Sequence, residues 1–334
     1  MKFIIKIIVY PFAFLFGILK FLVTNKTSKI SYIAFRFLFV LTNGRINDFI
    51  SNIISFIIPK YKISNANGVL GNLSEKDINT IVSDIELNGY HLFEKKLEQD
   101  YINDVYDFAS KTKVSYLDFN QKNINYSTDK VIFDENSNLS PRFEFSNQEL
   151  FCNNTVKKLI FDRSLFAVAN SYLKTKPILD LAVMWWSIPF DSKAENKAAQ
   201  MFHFDMDRFK FIKFFFYIND VGTENGPHCY VRSSHKRLPR EILEDKRIRD
   251  TEINKFYDQK DILELVGGKG SIIAVDTRGL HKGKPLRKGK RLLFQLEFTN
   301  SLFGAPYSVI DSNDLGDEFK KLKFSYKRAF QLIE

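Results

Sequence analysis

The chain predicts a mainly β fold with flanking helices (α+β): an antiparallel sandwich or barrel, buttressed by helices and preceded by an apolar helical segment. Two observations predict it. Helical periodicity dominates up to Pro177, and from Ile178 onward short apolar runs bounded by Gly, Asn and Asp follow one another. Helices first and strands later, with no βαβ alternation, argue against a doubly wound parallel sheet. At 334 residues and 45% hydrophobic content, the chain can bury one large domain with an appendage.

From the N-terminus, Phe3–Val23 is apolar except for Lys6 and Lys20. Its uninterrupted run Ile7–Leu19 is short of the ~20 residues of a bilayer span, and no small-residue cleavage site follows. A second apolar run, Ile33–Leu41, carries Arg36. A third places Ile46, Phe49, Ile50, Ile53, Ile54 and Ile57 at helical spacing before Pro59. Residues 1–62 therefore read as a helical segment that associates with a membrane, either as a tilted span or lying on its surface, and 63–334 as the functional domain. Burial of the segment on that domain is the alternative. The polar link Ser64–Asn72 separates them. Ser74-Glu75-Lys76-Asp77 opens a helix that ends near Asn88-Gly89. A short strand at Tyr90–Phe93 and a helix carrying Ile102, Val105, Tyr106 and Ala109 on one face come next. Residues 112–150 are polar and Asn-rich and read as a loop over an active site. A helix through Val156–Leu173 leads to strands at Leu179–Ser187, Phe209–Ile218, His228–Arg232, Gly270–Val275 and Arg291–Phe298.

Charge narrows the function classes. Of the net +10, residues 1–62 carry +8, nine basic residues against Asp48, so the remainder is nearly neutral. Basicity that flanks apolar runs suits anionic lipid headgroups and excludes the basic footprint of a nucleic-acid binder. Cys152 and Cys229 form no spaced pair, which excludes a disulfide scaffold or a zinc ribbon and fits a reducing compartment.

The chemistry-bearing residues lie in the strand half. His203 and Asp205, two apart on an extended segment, point to the same side and can bite one metal. Five histidines exist, and His281, in Gly-Leu-His-Lys-Gly after an apolar run, is the third donor suited to a strand-to-turn position. Two imidazoles and a carboxylate hold one face of Fe(II) and leave the other open. Arg291 opens Arg-Leu-Leu-Phe-Gln-Leu-Glu-Phe, where Arg291, Leu293, Gln295 and Glu297 share one face. A buried Arg there needs an anion, either a carboxylate of a small diacid or Glu297. Arg287 competes within a run of six basic residues from Lys282 to Arg291. Trp185, Trp186 and Phe214–Tyr217 either line a pocket or pack in the core.

Together with Asn219-Asp220-Val221-Gly222-Thr223-Glu224-Asn225-Gly226-Pro227, running on to Ser233-Ser234-His235-Lys236, these motifs resemble the phytanoyl-CoA dioxygenase family over roughly residues 75–300. Arg232-Ser233 departs from the Pro-Gly usual in the family before Ser-His and changes a turn. The resemblance implies a double-stranded β-helix (jelly-roll, cupin-like) core. It implies iron held by His203, Asp205 and His281, with Arg291 on the far carboxylate of 2-oxoglutarate. It implies O2-dependent hydroxylation of an aliphatic C–H bond with release of succinate and CO2. Asp205 favours hydroxylation, since related halogenases lack that carboxylate. By the same likeness His235 belongs to a structural turn. His228 sits where the family usually has an apolar residue, so it either packs there or, as the lesser alternative, approaches the substrate. His91 reads as a packed residue.

Two other classes compete: a non-oxygenase metal-binding cupin, and a catalytically inactive oxygenase fold at a membrane. The substrate expected is a small or lipid-linked molecule. The need for Fe(II) and 2-oxoglutarate places the domain in the cytoplasm, beside the membrane.

Overall fold

The strand half of the chain folds into two facing antiparallel sheets, seen in a computed structural model that describes residues 2–118, 125–190, 200–310, 312 and 315–334. After a minimal hairpin of β1 (Asn67–Gly68) and β2 (Gly71–Asn72), the larger sheet takes eight strands. Their order is β3 (Tyr90–Leu92), β11 (Ile272–Val275), β8 (Phe211–Tyr217), β13 (Arg291–Thr299), β7 (Ile178–Ser187), β6 (Arg142–Glu144), β4 (Lys113–Asp118) and β5 (Asn125–Ile132). The smaller sheet pairs β10 (Ile262–Leu265), β9 (His228–Val231) and β12 (His281–Gly283). Together they form the expected jelly roll.

Side-chain alternation divides each central strand between two environments. Leu292, Phe294, Leu296 and Phe298 of β13 join Trp186 of β7 and Phe214 and Phe216 of β8 in the main core. Helices α4 (Glu75–Asn88), α5 (Gln99–Lys111) and α8 (Arg163–Leu173) cover that face with Ile85, Val105 and Phe166. Burying each such side chain is worth about 1.5–3 kcal/mol. Residues of the opposite parity, Arg291, Leu293 and Gln295, line the space between the sheets. A one-residue slip of β13 against β7 would exchange the two sets, so the apolar face fixes the position of Arg291.

The helix boundaries follow their caps. Ser74 and Asp77 form the capping box of α4, and Gly89 closes the helix at φ 90°, where a side chain would be strained. The single helix expected over Val156–Leu173 is broken. α7 (Asn154–Ile160) ends before Asp162, whose carboxylate caps α8 by accepting from the backbone of Ser164 and Leu165. Asp162 also accepts from Val69 N, so the hairpin decides the break.

Residues 112–150 are not the expected loop. β4, β5 and β6 extend the large sheet, and α6 (Asn147–Cys152) follows them. Sparse apolar residues suffice for this: Val114 and Phe143 are fully buried, and Phe133 stacks on Trp186 at 4.4 Å. Polar residues alternate with them because the other face is solvated or faces the pocket. The part of the expected loop at 119–124 lies outside the described residues.

Residues 1–62 form α1 (Lys2–Thr24), α2 (Lys29–Thr42) and α3 (Arg45–Ile57). α1 and α2 meet where Gly17 faces Ser31; a Cβ on Gly17 would collide with the Ser31 side chain. Phe14 and Phe35 pack against Phe209 and Phe303, and Phe39 stacks on Phe204 at 5.6 Å. One side of the helical layer thus shares a core with the β domain. The outer side is apolar and open: Phe12 is 71% exposed, Leu22 72%, Val23 85% and Phe56 89%.

Candidate metal and cosubstrate site

His203 lies on the segment before β8, and His281 opens β12; the two exchange backbone hydrogen bonds of 3.0 and 2.8 Å. Asp205 N donates to Thr277 O at 2.8 Å, so the turn leading to His281 also holds the carboxylate. In each imidazole Nδ1 faces a carbonyl at 2.9 Å, Met201 O for His203 and Gly279 O for His281. A nitrogen facing a carbonyl donates its hydrogen, which leaves both Nε2 lone pairs free and fixes the ring directions. Nε2 of His203 lies 3.7 Å from Asp205 Oδ1, and Nε2 of His281 lies 3.5 Å from Oδ2. One ligand atom from each residue falls within 4.8 Å of the others. Two neutral nitrogens and one carboxylate oxygen converging this closely are a fitting donor set for a divalent iron ion.

The electrostatics favour the metal-ready protonation state. Burial, aided by the neighbouring His281, pushes the His203 imidazole down to about 3. Burial also lowers His281, against the pull of Asp205. Against its own burial, Asp205 is held well below the usual carboxylate range by Lys213 and the two imidazoles. Lys213 Nζ reaches Asp205 Oδ2 at 2.7 Å and Glu297 Oε2 at 3.4 Å. Sequence reading missed Lys213, although a lone Lys in the strand Phe-Ile-Lys-Phe-Phe-Phe-Tyr signals a buried charge that needs partners.

Arg291 is 8% exposed and has no acidic partner among the described residues. It donates to Gly226 O and, at 3.3 Å, to Ser187 Oγ, while its Nε has no partner. The alternative partner, Glu297, faces Lys213 instead. Burial pushes the Arg291 guanidinium down to about 10. A buried guanidinium without an acidic partner is costly until an anion arrives, and a bidentate carboxylate matches its fork. Arg287 is exposed on the turn before β13.

A cavity of about 380 Å³ joins these groups, with Arg291 and the three metal-site residues on its walls. Trp185 and Phe215 line it, whereas Trp186, Phe214 and Phe216 pack in the core. Unforeseen from sequence, Tyr126, Arg142 and Glu144 of β5 and β6 form the outer wall. Arg142 forks onto Glu144 and lies 4.0 Å from the Trp185 ring. His228 also lines this cavity, with Nε2 unpartnered. His235 sits in a turn within reach of Glu86 O, and His91 pairs with Asp84 at 2.7 Å. A second opening of about 360 Å³ reaches His203 and Asp205 from the helical layer, bordered by Arg36, Asp207, Asp245 and Arg247.

The turn that presents His281 is locked by a buried ion pair that sequence reading also missed. Arg278 Nη2 donates to Asp276 Oδ2 at 2.8 Å, and Tyr172 Oη donates to the same oxygen at 2.5 Å. Although burial opposes it, Arg278 and its hydrogen bonds hold Asp276 down at about 2. Because that value is depressed, the ionised carboxylate stabilises the fold above about pH 4, and the contribution is lost as pH falls toward 2. Asp276→Asn leaves Arg278 with Asp48 alone. It is expected to cost about 3–5 kcal/mol in denaturant unfolding at neutral pH and to flatten the acid limb of stability.

The chain is similar to several known proteins. Among solved structures, AviO1 from Streptomyces viridochromogenes Tue57 is 14% identical, covers 70% of this chain and 100% of its own, and superposes with a TM-score of 0.45. HygX from Streptomyces hygroscopicus, solved with nickel, 2-oxoglutarate and hygromycin B, is 13% identical over 74% of this chain and 94% of its own (TM-score 0.45). EctD from S. alaskensis with bound Fe is 13% identical over 72% and 79% (TM-score 0.46). No curated protein sequence matches. The model of the phytanoyl-CoA dioxygenase (PhyH) family matches residues 85–291, a span that runs from α4 to Arg291 and holds every metal-site residue described above. The chain belongs to the phytanoyl-CoA dioxygenase family and is a 2-oxoglutarate-dependent oxygenase.

Proposed function

We propose that His203, Asp205 and His281 bind Fe(II), that Arg291 binds the far carboxylate of 2-oxoglutarate, and that the enzyme hydroxylates an aliphatic C–H bond of a small-molecule or lipid-like substrate. The observation that carries this reading is the buried Arg291 guanidinium, which has no acidic partner among the described residues and opens into the cavity of the metal-site residues. Bound Fe(II), 2-oxoglutarate and O2 supply the oxidising chemistry, with succinate and CO2 as products. The protein's part is positional. His203 and His281 present fixed lone pairs, Lys213 keeps Asp205 ionised, and Arg291 orients the diacid. Trp185, Phe215 and Leu293 give the cavity an apolar wall. The full-length protein with Fe(II), ascorbate and 2-oxoglutarate is expected to release succinate slowly, and faster when cell extract supplies the substrate. No release under either condition overturns the reading.

Residues 1–62 act, in this proposal, as a membrane-associating layer for a catalytic unit of residues 63–334 on the cytoplasmic side. Support comes from the apolar outer face of α1 and α3, flanked by Lys20, Lys26, Lys29 and Arg45. Phe14 and Gly17 give the other face of α1 to the protein core, so in this arrangement the helix lies along a bilayer and does not cross it. That Arg36 of α2 borders the second opening to His203 supports an arrangement with the site beside that layer. The protein is expected to pellet with phosphatidylglycerol-containing vesicles. A Phe12→Glu, Phe16→Glu, Phe56→Glu variant is expected to stay in solution with its succinate release intact. Absence of pelleting by the unmodified protein refutes the membrane assignment and leaves the oxygenase assignment standing.

A further inference from the structure

The two cavities that reach the metal-site residues each keep one cation without an acid. On the first, Arg142 pairs with Glu144, Lys213 with Asp205 and Lys284 with Glu264, which leaves Arg291 unpaired among the described residues. On the second, Arg36 forks onto Asp245, and Lys246 lies 3.0 Å from Glu244. Arg247 borders the same opening, and its side chain has no hydrogen bond or ion pair among the described residues. The remaining acid of that wall, Asp207, accepts from the Tyr32 hydroxyl at 3.4 Å. Arg291 is assigned to the diacid, whereas Arg247 has no task in the site described so far.

Backbone pairing sets Arg247 beside the metal donors. Ile248 N donates to Phe202 O at 2.8 Å in an isolated antiparallel bridge, so Arg247 stands across from His203. Phe202 and Ile248 pack in one apolar cluster. Alternation along extended backbone turns His203 and Arg247 to the other side, and both line the second opening. Burial is the main cause that lowers the two imidazoles, and the charge of Arg247 adds to it in both. Arg247 is itself lowered by burial and drawn up by Asp205. It is thus exposed on one side and within electrostatic reach of all three metal-site residues on the other.

We infer that the second opening admits the substrate and that Arg247 binds an oxyanion on it, a carboxylate or a phosphate, leaving a C–H bond of the same molecule at the metal-site residues. The inference rests on the metal and cosubstrate sites proposed above and names the substrate class, a small acid or phosphate ester. The opening, about 360 Å³, is of the size of small-ligand sites. A guanidinium fork grips either oxyanion through two parallel hydrogen bonds.

Proton NMR on the full-length protein, loaded with Mn(II) and saturating 2-oxoglutarate, tests this with butyrate and propyl phosphate as probes and propanol as the uncharged control. Bound Mn(II) speeds the relaxation of nuclei held near it, so the signal reports occupancy beside the metal. At least one of the two anions is expected to be relaxed, and the stronger effect identifies the group. Arg247→Gln is expected to raise the Kd of that anion about tenfold, and Arg247→Lys to recover part of the loss. The Kd of 2-oxoglutarate is expected to be unchanged in both variants. Equal relaxation in the unmodified protein and Arg247→Gln overturns the inference, as does relaxation of neither anion or of propanol as strongly as the anions. A matching loss of 2-oxoglutarate binding in both variants overturns it too, since Arg247 then supports the whole site. Failure of the unmodified protein to hold Mn(II) or 2-oxoglutarate is a separate result, and it overturns the underlying site together with this refinement.

Discussion

Replacing Asp205 by alanine is expected to abolish succinate release. The carboxylate is the one anionic donor of the three, and its two oxygens stand 3.7 and 3.5 Å from the imidazole nitrogens. Without it, two neutral nitrogens face a divalent ion beside the Lys213 ammonium, which then repels the metal with no intervening negative charge. The same substitution leaves Lys213 buried with Glu297 alone, so loss of activity could also follow from loss of fold. Asp205→Asn separates the two. It keeps the size and can still accept from Lys213, and it is expected to melt near the wild-type temperature while binding Fe(II) far more weakly. Unchanged turnover in Asp205→Ala would sink the metal assignment.

Arg291→Leu is expected to raise the Kd for 2-oxoglutarate by roughly a hundredfold or more, because it removes one partner of a desolvated charge pair. Its effect on stability should run the other way. In the absence of a diacid the guanidinium is buried without an acidic partner, so exchanging it for an apolar side chain is expected to leave Tm unchanged or higher. The wild-type protein should gain Tm on adding 2-oxoglutarate and Mn(II), and Arg291→Leu should not. If Arg291 were a structural ion pair instead, the variant would lose stability with or without the diacid. Arg291→Lys is expected to recover part of the affinity, since a point charge cannot reproduce the two-pronged contact.

How far the site could be read from sequence depends on how local its cause is. The His203-Asp205 pair announces itself because side chains two apart on extended backbone share a direction. Arg291 does so because it opens an apolar strand. Lys213 was passed over because its partners, Asp205 and Glu297, lie on other segments, and without partners it reads as an interruption in an aromatic strand. Asp276 and Arg278 carry no local signal, because their network closes only through Tyr172, from a helix about a hundred residues away. Tyr126, Arg142 and Glu144 fell within a stretch read as a loop, since strands at the end of a sheet bury few apolar residues.

By itself, the amino-acid sequence determined the run of strands after Ile178, the donor types, the parity that turns Arg291 inward and the apolar, basic character of residues 1–62. These follow from backbone periodicity and side-chain chemistry, which act over a few residues. Tertiary structure alone decided that Glu297 belongs to Lys213 and leaves Arg291 free, that His228 keeps an unpaired nitrogen beside the metal site, and that α1 buries one face while exposing the other. The physical reason is that pairing and desolvation depend on which strands meet across the barrel, and that meeting is set by the packing of the whole core.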